Sequence, residues 1–180
     1  MARIHLVEGP VGAGKSTFAA ALSRRHAAPH LALDAWMATL FGPDRPNTGV
    51  VAWYMERKDR CLEQIWAVAR DLVERGGDVV LELGLVQRRS RESLYSRVDA
   101  QAYELTVYVL DAPREVRRER VRARNQQKGT TFSMEVPDHV FEIASDMWEP
   151  PDDAESRDRG IRFITTHDGG SQQDRANDQV

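Results

Sequence analysis

The chain has 180 residues and a formal net charge of −3, because 28 acidic residues slightly outnumber 25 lysines and arginines. With 41% hydrophobic and 29% charged residues, it has the composition of one globular domain with a buried core. A single cysteine excludes a disulfide framework and a cysteine-based zinc site. No apolar stretch approaches the roughly 18 residues of a membrane helix, and the N-terminal residues lack the apolar core of a signal peptide. We therefore expect a cytoplasmic protein with no membrane partner.

The first half of the chain alternates short apolar runs with helical patterns. A strand is predicted over Arg3–Glu8, and after a glycine-rich turn a helix is predicted over Lys15–Arg25. A second short strand follows over His30–Leu33. A loop rich in proline and glycine precedes a long amphipathic helix predicted over Val50–Arg75.

The second half continues the same alternation. In chain order it contains the predicted strand Val79–Leu83, the helix Gln87–Val98, the strand Ala102–Leu110, a very basic helix from Pro113 to about Asn125, the helix Pro137–Trp148 and the strand Ile161–Thr165. Residues 128–136 and the acidic segment 150–160 are predicted loops, and the polar tail 168–180 is expected to be disordered. This order predicts one α/β domain over residues 1–167 with a mostly parallel sheet.

One motif indicates the chemistry. Gly9–Thr17 has the sequence GPVGAGKST, which matches G-x-x-x-x-G-K-[ST] and lies between a predicted strand and a predicted helix. Glycines let backbone N–H groups turn inward around phosphates, and the helix that follows directs its positive end at them. The lysine can reach the β and γ oxygens, and the serine hydroxyl can ligate Mg²⁺. The predicted nucleotide-binding residues are Gly9, Gly12, Ala13, Gly14, Lys15, Ser16 and Thr17. The alternative is a glycine-rich turn with an incidental lysine.

Two acidic residues accompany predicted strands. Asp34 lies just past the second strand, at the sheet edge that lines the ligand crevice of open parallel sheets. Its carboxylate can orient or deprotonate an acceptor hydroxyl, or it can cap a short helix over Ala35–Phe41. Glu82 lies inside the third predicted strand, where an unpaired carboxylate is costly. It can hold a magnesium-bound water or an acceptor group, or pair with an arginine.

The basic helix carries an unusual density of arginines, namely Arg114, Arg117, Arg118, Arg120, Arg122 and Arg124. Arg117, Arg120 and Arg124 share one face by their spacing. Such like charges repel one another, so an anionic partner, such as a phosphoryl group in transfer, would relieve them. The alternative is a solvated face balanced by Glu115 and Glu119. We expect one or two of these arginines to be catalytic and the rest to lie on the surface.

Other residues narrow the class of nucleotide-binding protein. The chain has no Asn-Lys-x-Asp motif for guanine and no apolar strand that ends in Asp-Glu, as a ring-type motor ATPase would have. A small phosphotransferase is therefore favoured. The histidines show no metal-ligand spacing, and Cys61 on the long helix is interpreted as a small buried apolar residue.

From Ile4 to Trp148 the sequence resembles the P-loop kinase group that includes polynucleotide 5′-kinase domains, chloramphenicol phosphotransferase and zeta-type toxins. The pieces that carry the resemblance are GPVGAGKST, the strand Leu31–Asp34 with its terminal acid, the arginine-bearing stretch Arg120–Asn125, and the segment from Lys128 through Val136–Asp138 to Met147. The resemblance implies a three-layer α/β sandwich with an arginine-rich lid helix, and ATP and Mg²⁺ as cofactors. It also implies Asp34 as the acceptor carboxylate and Arg120 and Arg124 as lid arginines.

The expected function is transfer of the γ-phosphoryl group of Mg-ATP to a hydroxyl of a small-molecule acceptor. Lys15, Asp34, Arg120 and Arg124 are the expected catalytic residues, and Ser16, with Glu82 through water, is expected to hold Mg²⁺. One alternative is a polynucleotide 5′-hydroxyl kinase, although no second basic channel for a polynucleotide end is evident. The other is a nucleotide-dependent binding protein without transfer activity. The resemblance does not indicate which acceptor is used, and the oligomeric state stays open.

Overall fold

Five parallel strands form the centre of the fold. A computed structural model describes residues 2–127, 129 and 135–166. Within these residues one sheet has the strand order β2-β3-β1-β4-β5. The strands are β1 (Arg3–Glu8), β2 (His30–Ala32), β3 (Val79–Glu82), β4 (Glu104–Asp111) and β5 (Arg162–Thr165). Each end lies within two residues of its predicted position, and the expected mostly parallel sheet is wholly parallel.

The central strand β1 is the point at which the order of the sheet reverses. Ile4 of β1 lies opposite Val79 of β3 on one side and opposite Leu105 of β4 on the other. In an open parallel sheet, the connections from such a strand leave a crevice at its carboxyl end. The glycine-rich loop begins there, directly after Glu8.

Seven α-helices connect the strands within the described residues. They are α1 (Lys15–His26), α2 (Leu33–Phe41), α3 (Val50–Glu74), α4 (Arg88–Ala100), α5 (Arg114–Gln127), α6 (Asp138–Asp146) and α7 (Asp153–Arg159). A short 3₁₀ turn over Gly42–Asp44 follows α2. The sequence predicts five of these helices, α1, α3, α4, α5 and α6. Each prediction is confirmed to within two residues at both ends.

The predicted loop over residues 150–160 is wrong, because it contains α7. The Asp152 side chain accepts a hydrogen bond of 2.8 Å from the Glu155 N–H and so caps the helix. Gly160, with a φ of 55°, ends it in the left-handed conformation. The acidic residues that suggested a solvated loop are typical of a helix N-terminus, where negative charge is favourable.

Helices cover both faces of the sheet, which confirms the three-layer arrangement. On one face, Ile4 and Leu6 pack with Cys61 and Ile65 of α3. Cys61 is buried, as expected. On the other face, Val7 packs in a second core that includes α1. This alternation along β1 buries both faces of the strand, as in other parallel sheets.

Some expectations lie outside the described residues. They concern Lys128 and residues 130–134 of the loop after the basic helix, and the tail 168–180. None of the described helices combines the length and the apolar character needed to cross a membrane.

Candidate active site

The glycine-rich loop Gly9–Gly14 joins β1 to α1 at the centre of the sheet. Gly9 and Gly12 have φ angles of 146° and 79°, which residues with a side chain rarely adopt. A Cβ atom at Gly9 would lie 2.3 Å from the Leu110 carbonyl oxygen, and one at Gly12 would lie 2.6 Å from that of Arg117. Both positions therefore need glycine for space as well as for backbone conformation.

Side chains from distant elements fix this loop. The Arg117 Nη1 group of α5 donates to the Val11 carbonyl at 3.0 Å, and its Nε donates to the Ala112 carbonyl at 3.0 Å. The Thr166 hydroxyl donates to the Ala13 carbonyl at 3.1 Å. Arg117 is only 7% exposed. It was expected either to meet an anion or to lie on the surface, but it is buried and holds the loop backbone.

Lys15 lies at the first turn of α1, beside the loop. Its Nζ atom donates to the Pro10 carbonyl at 2.9 Å. Burial lowers the pKa of Lys15, whereas the acidic groups of Glu82, Glu8 and Asp34 raise it. The lysine therefore lies among three acidic side chains.

Glu82, at the end of β3, is tied to two polar side chains. The Ser16 hydroxyl donates to its Oε1 atom at 2.8 Å, and the His30 Nε2 atom lies 3.1 Å from its Oε2 atom. Although burial by itself raises the pKa of Glu82, these hydrogen bonds and the charge of Lys15 outweigh burial and lower the pKa. The arginine partner considered for Glu82 is replaced by His30. An ionised carboxylate beside a hydroxyl is an oxygen donor set that fits Mg²⁺.

Asp34 lies in the first turn of α2. This helix begins at Leu33, so Ala32 occupies the capping position and no side chain caps it. The capping interpretation of Asp34 is therefore wrong. Asp34 is solvent-exposed by surface area, although protein atoms surround its carboxyl group closely enough to desolvate it in part. The surrounding protein raises the pKa of Asp34, the charge of Lys15 lowers it, and the charge of Glu82 raises it further.

Arg124 and Arg114 of α5 each have a buried Nε atom with no hydrogen-bond partner among the described residues. The terminal nitrogens of Arg114 pair with Asp146 and Glu142, whereas the charge of Arg124 lies near Asp34 and Glu82. Burial lowers the pKa of Arg124, and attraction to Asp34 and then to Glu82 raises it. The guanidinium group thus lies within electrostatic reach of both acids of the cleft and keeps a donor for a further acceptor.

Most of the other arginines of α5 form ion pairs. Arg118 pairs with Glu115, as the alternative of a balanced helix face expected. The remaining partners lie on α6, since Glu142 pairs with both Arg114 and Arg118. Asp138 of α6 forms an ion pair with Arg122 of α5. These charges hold two helices together, which the spacing along a single helix did not reveal.

Arg120 contacts a different side of the loop. It donates to the Thr166 hydroxyl at 2.8 Å and to the Thr166 carbonyl at 3.3 Å. Arg120 and Thr166 line a cavity of about 250 Å³ together with Gly14, Thr17 and Phe18. The structure therefore brings the charges of Lys15, Asp34, Glu82 and Arg124 within reach of one another, with Ser16 bonded to Glu82. It places Arg120 beside the start of α1.

Two further residues near Asp34 were missed in the sequence. Attraction to Lys58 of α3 lowers the pKa of Asp34. Burial, together with the charge of Asp34, raises the pKa of Tyr54 to about 12. Tyr54 and Lys58 are four residues apart on one helix, so their shared face was visible, but nothing in the pattern placed that face next to Asp34. His30 was missed for the same reason, since its partner Glu82 lies on another strand.

The strand order, the glycine-rich loop at its switch point and the lysine and serine that follow define a P-loop nucleotide-binding fold of the kinase type. Residues 4–151 match the family model described as "AAA domain", and the chain belongs to this family. A comparison with curated proteins gives no match.

Solved structures share the fold at low sequence identity. A sugar kinase from Janibacter sp. HTCC2649 has a TM-score of 0.61 at 17% identity, with 92% of this chain and 86% of that chain covered. The APS kinase CysC of Mycobacterium tuberculosis, solved with AMPPNP and APS, has a TM-score of 0.58 at 16% identity, with 91% and 88% covered. A chain of the Pnkp1/Rnl/Hen1 RNA repair complex has a TM-score of 0.60 at 23% identity, with 81% and 43% covered. These likenesses establish a P-loop kinase fold.

Proposed function

We propose that the protein is an ATP-dependent phosphotransferase that moves the γ-phosphoryl group of ATP to a hydroxyl of a small-molecule acceptor. The observation that supports this most is the buried Arg124 donor, which has no partner among the described residues and lies within reach of Asp34 and Glu82. A phosphoryl group in transfer spreads negative charge over its oxygens and needs such donors around it.

The loop and the residues just after it are proposed to bind the phosphates. Backbone N–H groups of Gly9–Gly14 and the N-terminus of α1 provide a site for an anion. Lys15 is proposed to exchange its bond to the Pro10 carbonyl for the β and γ oxygens of the nucleotide. Ser16 would hold Mg²⁺ directly and Glu82 would hold it through water. When bound there, the ion would neutralise phosphate charge.

The acceptor is proposed to bind on the Asp34 side of the cleft. Because its pKa is raised, the Asp34 carboxylate is a better proton acceptor than an ordinary aspartate, and it can orient or deprotonate the acceptor hydroxyl. Arg124 would stabilise the charge on the transferred group. Arg120, on the other side of the loop, would contact the nucleotide next to Thr17.

A small acceptor is favoured over a nucleic acid end. The sugar kinase and the APS kinase are named for small substrates, whereas one neighbour of the same fold belongs to an RNA repair complex. The chain has a net charge of −3, and a polynucleotide partner usually requires a concentrated basic surface.

The test is transfer of labelled γ-phosphate from Mg-ATP to a panel of acceptors. The panel contains sugars and amino sugars, nucleosides, nucleotide sugars, chloramphenicol-like alcohols and oligonucleotides with a 5′-hydroxyl. We expect a labelled small-molecule product that is lost in Lys15→Ala. A salt-sensitive oligonucleotide product would instead establish the nucleic-acid alternative. Tight ATP binding without any labelled product would favour a nucleotide-dependent binding protein.

A further inference from the structure

Three potential metal ligands meet at the end of the sheet opposite to the phosphate-binding loop. His5 belongs to β1, His26 is the last residue of α1, and Asp78 immediately precedes β3. One ligand atom from each lies within 4.8 Å of the other two. Residues so distant in sequence show no motif, which is why the spacing of the histidines predicted no metal site.

The distances within the cluster suit a metal ion better than hydrogen bonds. The Asp78 Oδ2 atom lies 3.4 Å from the His5 Nε2 atom and 3.5 Å from the His26 Nδ1 atom. Strong N–H···O bonds are shorter, at roughly 2.7–3.2 Å. Ligands at about 2.0–2.1 Å from a tetrahedral Zn²⁺ are separated by about 3.4 Å. Two of the three separations therefore match those of zinc ligands, and the third, between His5 and His26, is within 4.8 Å.

One ligand is already held by the protein, since the Arg3 backbone N–H donates to the Asp78 Oδ1 atom at 2.9 Å and leaves Oδ2 toward the cluster. The Tyr108 hydroxyl lies near the other ring nitrogen of His5, Nδ1, at a longer distance of 3.4 Å, so the His5 Nε2 atom is the one that faces the cluster. Contacts of this kind orient ligands and raise metal affinity in known metal sites.

Access to the cluster is one-sided. The His5 side chain is 1% exposed, whereas those of His26 and Asp78 are 30% and 26% exposed. We propose that His5, His26 and Asp78 form a Zn²⁺ site, with water completing the coordination from the solvent side. Two imidazoles and one carboxylate are ligands that zinc binds well.

The role of the proposed site is structural. The three ligands connect the last turn of α1 with the beginnings of β1 and β3, so a bound ion would fasten this helix to the sheet. An ion that binds only the folded protein stabilises it by mass action. None of the three ligands belongs to the phosphate-binding loop, so Zn²⁺ binding can be tested independently of the proposed kinase activity.

The test is Zn²⁺ titration of the metal-free full chain without nucleotide, against a chromophoric chelator. We expect one Zn²⁺ per chain, with the affinity reduced at least about tenfold in His26→Ala and in Asp78→Asn. These two residues are partly exposed, so their variants should fold, and thermal unfolding without metal checks that they do. Zn²⁺ should raise the melting temperature of the wild type and not that of His26→Ala.

Two matched controls locate the ion. His139→Ala removes an exposed histidine of α6, and Glu82→Gln removes the acid beside Ser16 and His30. Both should bind Zn²⁺ as the wild type does. The proposal is overturned if the wild type does not bind one equivalent, if His26→Ala and Asp78→Asn retain wild-type affinity, or if the affinity is lost equally in either control.

Discussion

The most unusual single residue of the loop region is Glu8, the last residue of β1. It is fully buried beside the phosphate-binding loop. Its Oε2 atom accepts a hydrogen bond of 3.0 Å from the Leu85 N–H, whereas its Oε1 atom has no partner among the described residues. Burial raises the pKa of Glu8 from 4.5 to about 8, against the attraction of Lys15. The carboxyl group is therefore largely protonated at neutral pH.

Glu8 should make stability depend on pH. Its pKa is higher in the folded protein than in the unfolded chain, so the folded state holds more protons between pH 4.5 and about 8. The contribution of Glu8 to the free energy of unfolding is therefore greatest below that pH range. It decreases as the pH rises through the range. Between about pH 6 and about pH 8 the loss should be on the order of 2 kcal/mol.

The measurement is urea unfolding of the wild type and Glu8→Gln at both pH values. Glutamine keeps the acceptor for the Leu85 N–H but does not titrate. The difference between the two proteins should therefore shift in favour of Glu8→Gln at the higher pH. A difference that is the same at both pH values would contradict the assignment.

Arg124 is the arginine of α5 whose loss should affect transfer most. Arg124→Lys keeps the charge but loses the planar set of donors. We expect the rate of phosphoryl transfer to fall roughly 100-fold or more, because donors to a transferred phosphoryl group act mainly in the transition state. The rate is measured with the acceptor that the panel identifies.

The control for Arg124 is the same substitution on an exposed neighbour. Arg122 pairs with Asp138 at the surface, so Arg122→Lys should leave the rate of transfer unchanged. Equal losses in the two variants would mean that the arginines act through the packing of α5 and not through the phosphoryl group.

At the scale of elements, a buried ion pair fastens α7 to α4. Arg91 is 0% exposed and donates through Nε and Nη2 to both carboxylate oxygens of Glu155, at 2.7 and 2.9 Å. The Tyr95 hydroxyl donates to the same carboxylate at 3.1 Å. Burial alone would raise the pKa of Glu155, but the hydrogen bonds and charge of Arg91 lower it. A second pair, Arg159 of α7 with Asp99 of α4, joins the same two helices at the surface.

Removing one partner of this pair should be costly. Glu155→Ala leaves the Arg91 charge buried without its carboxylate, and we expect it to reduce the free energy of unfolding by about 3 kcal/mol. Asp153→Ala removes an exposed acid from the same helix and should change little. Denaturant unfolding of both variants checks this. Similar stabilities for the two would show that the pair does not anchor α7.

For the whole molecule, the sequence predicts elements better than contacts. The strands, the long helices and the phosphate-binding loop follow from periodicity and from a local motif, and they are confirmed. The helix α7 was missed because its acidic composition also suits a loop. It is held against α4 by ion pairs between residues distant in sequence, Arg91 with Glu155 and Asp99 with Arg159.

In the candidate site, too, the sequence predicts the residues of the local motif better than the contacts between distant residues. Lys15 and Ser16 are predictable because the motif is contiguous, whereas the contact of Glu82 with His30 depends on strand pairing. Arg117 had the spacing of a phosphate ligand, but a close approach of α5 to the loop places it on the Val11 carbonyl. Periodicity shows which side chains share a face, and only tertiary packing shows what that face meets.

The most direct test of the proposed function compares Asp34→Asn with Asp44→Asn. The Asp34 carboxyl group interacts with the charges of Lys15, Glu82 and Arg124, and Asp44 is an exposed acid at the end of the neighbouring 3₁₀ turn. Transfer of labelled phosphate and ATP affinity are measured for both variants. We predict that Asp34→Asn loses most of its transfer activity and keeps wild-type ATP affinity, and that Asp44→Asn keeps both. Undiminished transfer by Asp34→Asn, or loss of its ATP binding, would contradict the role of Asp34 as the acceptor carboxylate.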